Sequence, residues 1–252
     1  MKKLLLSAVL FAIAPLSLNA LEMTDPFFIP EKGAVISDTT LGFTNNAFKL
    51  NKSWGIYETV SVGIDDKFSA GVSLGWADMR HADSGMQDLA LFAKYRIADQ
   101  TDTPYFLDIE GYLSPKLFHS PYNNKKGSAK GSTDLGFKGT MGSTQISEGF
   151  TLGASAGLDI IGHTDIISSG SIADLTGFAK YYADKDNSFG ASVSVKGYWG
   201  FDQDFLGLNL GINYARNIIE DKLAVVPFYN IEIHNKDITS SAVWGINARF
   251  LF

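Results

Sequence analysis

A chain of 252 residues with no cysteine and a formal net charge of −6 has no disulfide framework and lacks the basic surplus that a nucleic-acid partner requires. Glycine numbers 25, aromatic residues reach 13% and charged residues only 19%, a mixture suited to β structure with many turns. No apolar run beyond the first twenty residues reaches the ~18 residues of a spanning helix.

The first segment, "MKKLLLSAVLFAIAPLSLNA", carries Lys2 and Lys3, an apolar stretch from Leu4 to about Pro15, and Ala20 at a polar-turning end. That order is expected of a secretory signal peptide, residues 1–20, cleaved before Leu21. A membrane anchor would need about 20 apolar residues, more than this stretch offers. Cleavage takes the charge from −6 to −8 and leaves no N-terminal Cys to carry a lipid. Residues 21–32, "LEMTDPFFIPEK", hold Pro26 and Pro30 and are unsuited to a central strand. They form a separate segment that either folds into a lumen as a plug or lies in the periplasm.

From residue 33 to 252 alternation dominates, and turn signals divide it into strands expected at 34–44, 53–64, 68–78, 86–97, 105–116, 133–143, 150–161, 171–182, 188–200, 205–217, 223–233 and 241–252. In "MQDLALFAKYRIA", Leu89, Leu91, Ala93, Tyr95 and Ile97 share one face while Asp88, Lys94 and Arg96 share the other, because strand side chains alternate sides. "YFLDIEGYLSPK" splits the same way, with Asp108, Glu110, Tyr112 and Lys116 on the polar face. So does "SFGASVSVKGYW", with Ser192, Ser194, Lys196 and Tyr198. Connections at 65–67, 99–104, 144–149, 184–187 and 220–222 are short, and those between them are longer or more varied. "QDLALFAKYRIADQ" and "ADLTGFAKYYADKD" echo each other as equivalent strands running toward the short-turn side.

Alternation alone also fits a soluble sandwich. Aromatic placement separates the two. Trp54, Trp76, Trp199 and Trp244 fall on the apolar face near the long-loop ends, and Phe68, Tyr95, Tyr105, Phe150, Tyr181, Phe189, Tyr214 and Phe250 on the same face near the short-turn ends. Two aromatic girdles around an apolar band are what a lipid-facing wall requires. The expectation is all-β: a single closed antiparallel transmembrane β-barrel of about twelve strands. The last strand, "VWGINARFLF", closes it by pairing with the first, because an open edge in hydrocarbon is prohibitive.

On these residues the chain resembles Gram-negative outer-membrane β-barrel proteins. In that class a C-terminal aromatic strand is read by the barrel-assembly machinery, a role the resemblance gives to Phe250 and Phe252. The usual pattern has Gly five residues before the end, where this chain has Asn247, so the match is partial. "WGIYETVSVGIDDKFSAGVSLGW" with "GMQDLALFAKYRI" is similar to the opening hairpins of the transporter family named after the MetA pathway of phenol degradation, which would imply passage of small compounds, hydrophobic ones included.

The inward face is expected to carry Asp38, Asp88, Asp108, Glu110, Asp134, Asp159, Asp174 and Glu232 against Lys94, Arg96, Lys138, Lys180, Lys196 and Arg249. Such a mixed lining is either a polar pore biasing which solute passes or an ion-paired network that seals the barrel. No catalysis, metal or cofactor is expected. "GASAG" (Gly153 to Gly157) has the nucleophile-elbow form but lies inside an alternating strand. His81, His119, His163 and His234 fall in or beside outer loops. "FHSPYNN" sets His119 beside Ser120, whereas the outer-membrane phospholipases keep one residue between their His and Ser. The partners expected are outer-membrane lipids, a small solute and lipopolysaccharide, which Lys125, Lys126 and Lys130 could meet. Glu58 breaks the pattern, falling on the lipid face unless a bulge intervenes near Ile56. Passive passage of small solutes is the leading functional expectation. A sealed barrel working through its outer loops is the alternative, and a membrane hydrolase is the weakest.

Overall fold

The computed structural model describes residues 23–46, 52–79, 84–87, 89–117, 132–147, 149–163, 169–201, 204–234 and 239–252. The signal-peptide segment, Asp88, His81, His119, Ser120 and Lys125, Lys126 and Lys130 lie outside the described residues. The strands are β1 (Val35–Asn46), β2 (Lys52–Asp65), β3 (Phe68–Met79), β4 (Gly85–Met86), β5 (Ala90–Ala98), β6 (Phe106–Ser114), β7 (Asp134–Ser147), β8 (Phe150–Ile161), β9 (Gly170–Tyr182), β10 (Asn187–Trp199), β11 (Phe205–Ile219), β12 (Leu223–His234) and β13 (Thr239–Leu251). Each wall strand pairs antiparallel with its chain neighbours, and β13 pairs with β1 along eleven residues from Ile36–Leu251 to Asn46–Ser241. The sheet therefore closes into a barrel of twelve long strands, with the two-residue β4 as an addition on β3.

The strands follow from the alternation, but the usual sense of inside and outside is reversed. Ile56, Val72, Ile109, Phe137, Leu175, Val193, Ile212 and Ile246 project from the outer wall, while the buried side holds Thr40, Ser69, Lys94, Asp108, Thr151, Ser155, Asp159, Lys180, Ser194 and Arg249. A water-soluble domain buries its apolar face and exposes its charges. A continuous exposed apolar belt around a polar interior is the requirement of a barrel wall in lipid.

One expected strand, 86–97, is interrupted. Trp76 pairs with Met86 and Ser73 with Ala90, so between these pairs β3 advances three residues and its partner four. The extra residue is a bulge, and it flips the face: Met86 is exposed and Gln87 buried before it, whereas Leu91 is exposed and Lys94 buried after it. At Glu58 there is no bulge. β2 stays in register with both neighbours from Ser53 to Val62, and Glu58 shares the outward parity of Trp54, Ile56 and Val60. Its carboxylate accepts hydrogen bonds from Ser37 (2.5 Å) and Thr39 (2.6 Å), outward neighbours on β1.

The aromatic residues form contiguous rows because the register brings them opposite one another. Tyr229 pairs with Trp244, Trp244 with Phe43 and Phe43 with Trp54. The Phe43 and Trp244 rings stack at 4.4 Å, and those of Trp54 and Trp76 lie 5.0 Å apart. Toward the opposite rim, Phe150, Tyr181, Phe189 and Tyr214 are paired in turn across four strands. Tyr95 pairs with Phe68; Tyr105 and Trp199 are exposed at strand ends. At the seam the main chains of Val35 and Phe252 exchange hydrogen bonds of 3.1 and 2.9 Å, and the exposed Phe252 ring stacks on Phe250 at 6.2 Å.

Candidate functional site in the barrel lumen

The short-turn end of the lumen is built from β5, β8, β9 and β13. Period-two alternation places Lys94 and Arg96 on β5, Thr151 on β8, Lys180 and Tyr182 on β9 and Arg249 on β13 toward the interior. Asp108 on β6 sits between two of these cations, 3.1 Å from the Lys94 ammonium and 2.9 Å from Arg96 Nε. Arg249 is paired with Asp38 of β1 at 2.6 Å. Buried charges of this kind persist only when paired and hydrogen-bonded.

The remaining donors are met by residues 23–30, which lie inside the barrel. The chain enters through Lys32, which bridges to Gly63 of β2 in the parallel sense, and through Gly33, whose φ of +84° suits glycine. A side chain on Gly63 would collide with the main-chain oxygens of Pro30 and Glu31, so the absence of a Cβ there lets the segment lie against the wall. Further in, the segment offers a series of main-chain carbonyls. Lys94 donates to Pro26 (3.0 Å) and Phe28 (3.3 Å), Arg96 to Phe27, Lys180 to Thr24, and Arg249 to Met23 (2.5 Å). The Phe27 ring stacks on Phe106 at 5.0 Å and meets Phe178 at 6.1 Å.

Asp25 is the one carboxylate this buried stretch brings in, and it is fully enclosed. Its Oδ1 accepts the Phe27 amide at 2.9 Å and its carbonyl accepts that of Phe28 at 3.0 Å, the local turn that an Asp-Pro pair favours. Its Oδ2 accepts hydrogen bonds from Thr151 (2.9 Å) and Tyr182 (2.6 Å). Burial raises the Asp25 carboxyl above the usual carboxylate range, against the pull of the Tyr182, Phe27 and Thr151 hydrogen bonds and the charge of Lys180.

Above this floor lies a cavity of about 200 Å³, lined by Glu110, Lys138, Asp159, Asp174, Lys196 and Glu232 among others. Register sets Glu110 between Lys94 and Lys138, and Asp174 opposite Lys196, so charges of opposite sign face one another across adjacent strands. Toward the long-loop end Asp134 is buried and accepts from Ser132 (2.7 Å) and the Gly162 amide (3.1 Å). Glu232 accepts from the buried Tyr198 hydroxyl at 2.6 Å. Tyr198 packs with Ile161, Ile172, Phe201 and Phe205, and Tyr57 packs with Val243 and Phe228. These inward aromatic and apolar residues were not legible as a group, because one large apolar residue among polar neighbours leaves no periodic trace. The segment's carbonyl ligands carry no side-chain signature at all.

Ser155 of "GASAG" is buried in the middle of β8, opposite Thr140 and Thr176, with no strand-to-helix turn. His163 is exposed beyond the end of β8.

No family model and no curated protein matches the chain. The likeness of residues 54–97 to the phenol-degradation transporter family therefore stays one of sequence pattern. Solved structures do match. An outer-membrane channel from Pseudomonas putida F1 aligns with a TM-score of 0.68 at 11% identity, over 89% of this chain and 97% of that one. The NanC porin aligns with a TM-score of 0.58 at 12% identity, over 85% and 98% of the two chains. The β domain of the Bordetella autotransporter BrkA aligns with a TM-score of 0.57 at 10% identity, over 88% and 100%. At these identities the likeness establishes the fold: a closed barrel of the kind found in outer-membrane channels, porins and autotransporter domains.

Proposed function

We propose that this chain is an outer-membrane channel through which small polar solutes diffuse passively along a mixed-charge lumen. The observation that carries the reading is the cavity with opposed charges on its wall, inside a barrel whose outer surface is apolar. In lipid, such a wall satisfies every strand hydrogen bond internally and leaves the polar interior as the one hydrated path. The neighbours described as a channel and a porin support the choice, and the autotransporter domain with the same fold shows that fold alone does not make it.

On this reading residues 1–20 direct export, residues 33–252 form the barrel domain, and the Trp and Tyr rows lie at the two headgroup levels. Phe250 and Phe252 present the assembly signal, and lipopolysaccharide surrounds the outer rim. The reading assigns no chemical step and no cofactor. The test is ion conductance of the purified mature chain in planar bilayers, where discrete steps are expected. A second reading, a sealed barrel, has a specific observation in its favour: residues 23–30 occupy the short-turn half of the lumen and are held there by Lys94, Arg96, Lys180 and Arg249. Silence of the intact chain, and equally of a chain lacking residues 21–32, would establish that alternative.

A further inference from the structure

We infer that Thr151, Tyr182 and Lys180 form a binding site for a carboxylate group of a solute in transit, and that Asp25 occupies this site as an internal stand-in while the N-terminal segment is seated. The inference rests on the channel reading above and adds to it a solute class, small carboxylic acids, and a displaceable closure.

The geometry of the seated state defines the site. Thr151 and Tyr182, from adjacent strands β8 and β9, both direct hydroxyls at the same oxygen of Asp25, at 2.9 and 2.6 Å. Lys180, two residues before Tyr182 and on the same inward face, reaches the Thr24 hydroxyl at 2.6 Å and supplies a positive charge beside the carboxylate. Thr151 and Asp25 are fully buried and Lys180 nearly so, so the site is built into the wall and is not a surface coincidence. Two donors converging on one oxygen next to an ammonium recognise a carboxylate whichever molecule carries it.

The surrounding charge points the same way. Asp108 compensates Lys94 and Arg96, and Asp38 compensates Arg249, so these three cations have wall partners independent of the segment. The segment meets them with neutral carbonyls and carries its one carboxylate, Asp25, to the Thr151 and Tyr182 hydroxyls, within the field of Lys180. Withdrawal of the segment therefore leaves the hydroxyl pair and the ammonium facing the cavity that Thr24, Pro26 and Lys180 already line. A carboxylate arriving through that cavity makes the bonds Asp25 relinquishes. The closure can be disturbed where it enters without touching the site, because at Gly63 the contact has no room for a side chain.

The experiment uses the mature chain in planar bilayers, with succinate replacing chloride at constant ionic strength. Compact gel migration before heating checks the fold of each variant. In the wild type, succinate is expected to raise the fraction of time open by displacing Asp25. In Asp25→Ala the internal acceptor is gone, and succinate should interrupt the open current at concentrations about tenfold lower than any it needs in the wild type, since it no longer competes with an internal ligand. Gly63→Ala, which touches none of the site residues, should reproduce this by unseating the segment. Adding Thr151→Val and Lys180→Met to Asp25→Ala should remove the succinate interruptions while chloride steps persist. Channels that open in Asp25→Ala but treat succinate like chloride overturn the site and leave the channel intact. Absence of steps in every variant overturns the channel, and the site with it.

Discussion

Arg249 on the last strand donates to both carboxylate oxygens of Asp38 on the first, with Nε at 2.6 Å from Oδ1 and a terminal nitrogen at 2.8 Å from Oδ2. The two residues are direct cross-strand partners 211 positions apart, and their paired fork spans the seam where the barrel closes. The terminal strand is thus tied by a bidentate ion pair inside as well as by its ladder.

Breaking that pair should open the seam at a lower temperature. Arg249→Met leaves the partly buried Asp38 without this fork and is expected to cost about 1–3 kcal/mol, less than the loss of one partner from a fully buried pair. The double variant Arg249→Met with Asp38→Leu should recover much of the loss. The measurement is the temperature at which the compact gel form converts to the unfolded one. Equal temperatures for wild type and Arg249→Met would deny the pair any role in closure.

Glu58 places a carboxylate on the outer wall, where among the described residues the Ser37 and Thr39 hydroxyls meet it. In hydrocarbon a polar group without partners costs several kcal/mol. Removing both hydroxyls (Ser37→Ala with Thr39→Ala) should therefore destabilise the barrel by about 1–3 kcal/mol, while Glu58→Leu should leave it as stable as the wild type or more so. Reversal of that order in lipid vesicles would show that Glu58 does not face acyl chains.

The raised carboxyl of Asp25 makes the seating of the segment depend on pH. When the segment is withdrawn the carboxyl returns to the ordinary range, so the seated state binds more protons between the ordinary and the raised value. Falling pH therefore favours seating through that window, and rising pH loosens it, with no further change below the ordinary value or above the raised one. Conductance should decline on acidification through the window just above the usual carboxylate range. The slope should vanish in Asp25→Asn, and a wild type whose open fraction is flat there contradicts this account.

Asp108 is shared by Lys94 and Arg96, so Asp108→Asn removes one negative charge from beside two positive ones. Under a salt gradient the reversal potential of open channels should shift toward chloride, and more so with the segment unseated by Gly63→Ala. An unchanged reversal potential would mean that this group lies off the conducting path.

Much of this architecture could be read from residue order. The period of two exposed the two faces, the turn residues divided the strands, and the restriction of Trp to one end of one face distinguished a barrel wall from a sandwich. These are local signals, carried by neighbours within a few residues of each other. The bulge before β5 was hidden because Leu89 continues the alternation of Leu91, and only the pairing of Ser73 with Ala90 and Trp76 with Met86 reveals the extra residue. Glu58 was legible as an exception, but its answer lay on another strand, in Ser37 and Thr39.

The alternating pattern by itself determined that the chain makes a twelve-stranded wall, apolar outside and charged within, because strand geometry ties each side chain's face to its parity. Only the tertiary structure decided where residues 23–30 go. Their place depends on Lys94, Arg96, Lys180 and Arg249, which closure gathers from distant strands around main-chain carbonyls. A carbonyl is the same in every residue, so no sequence pattern records which of them a cation will find.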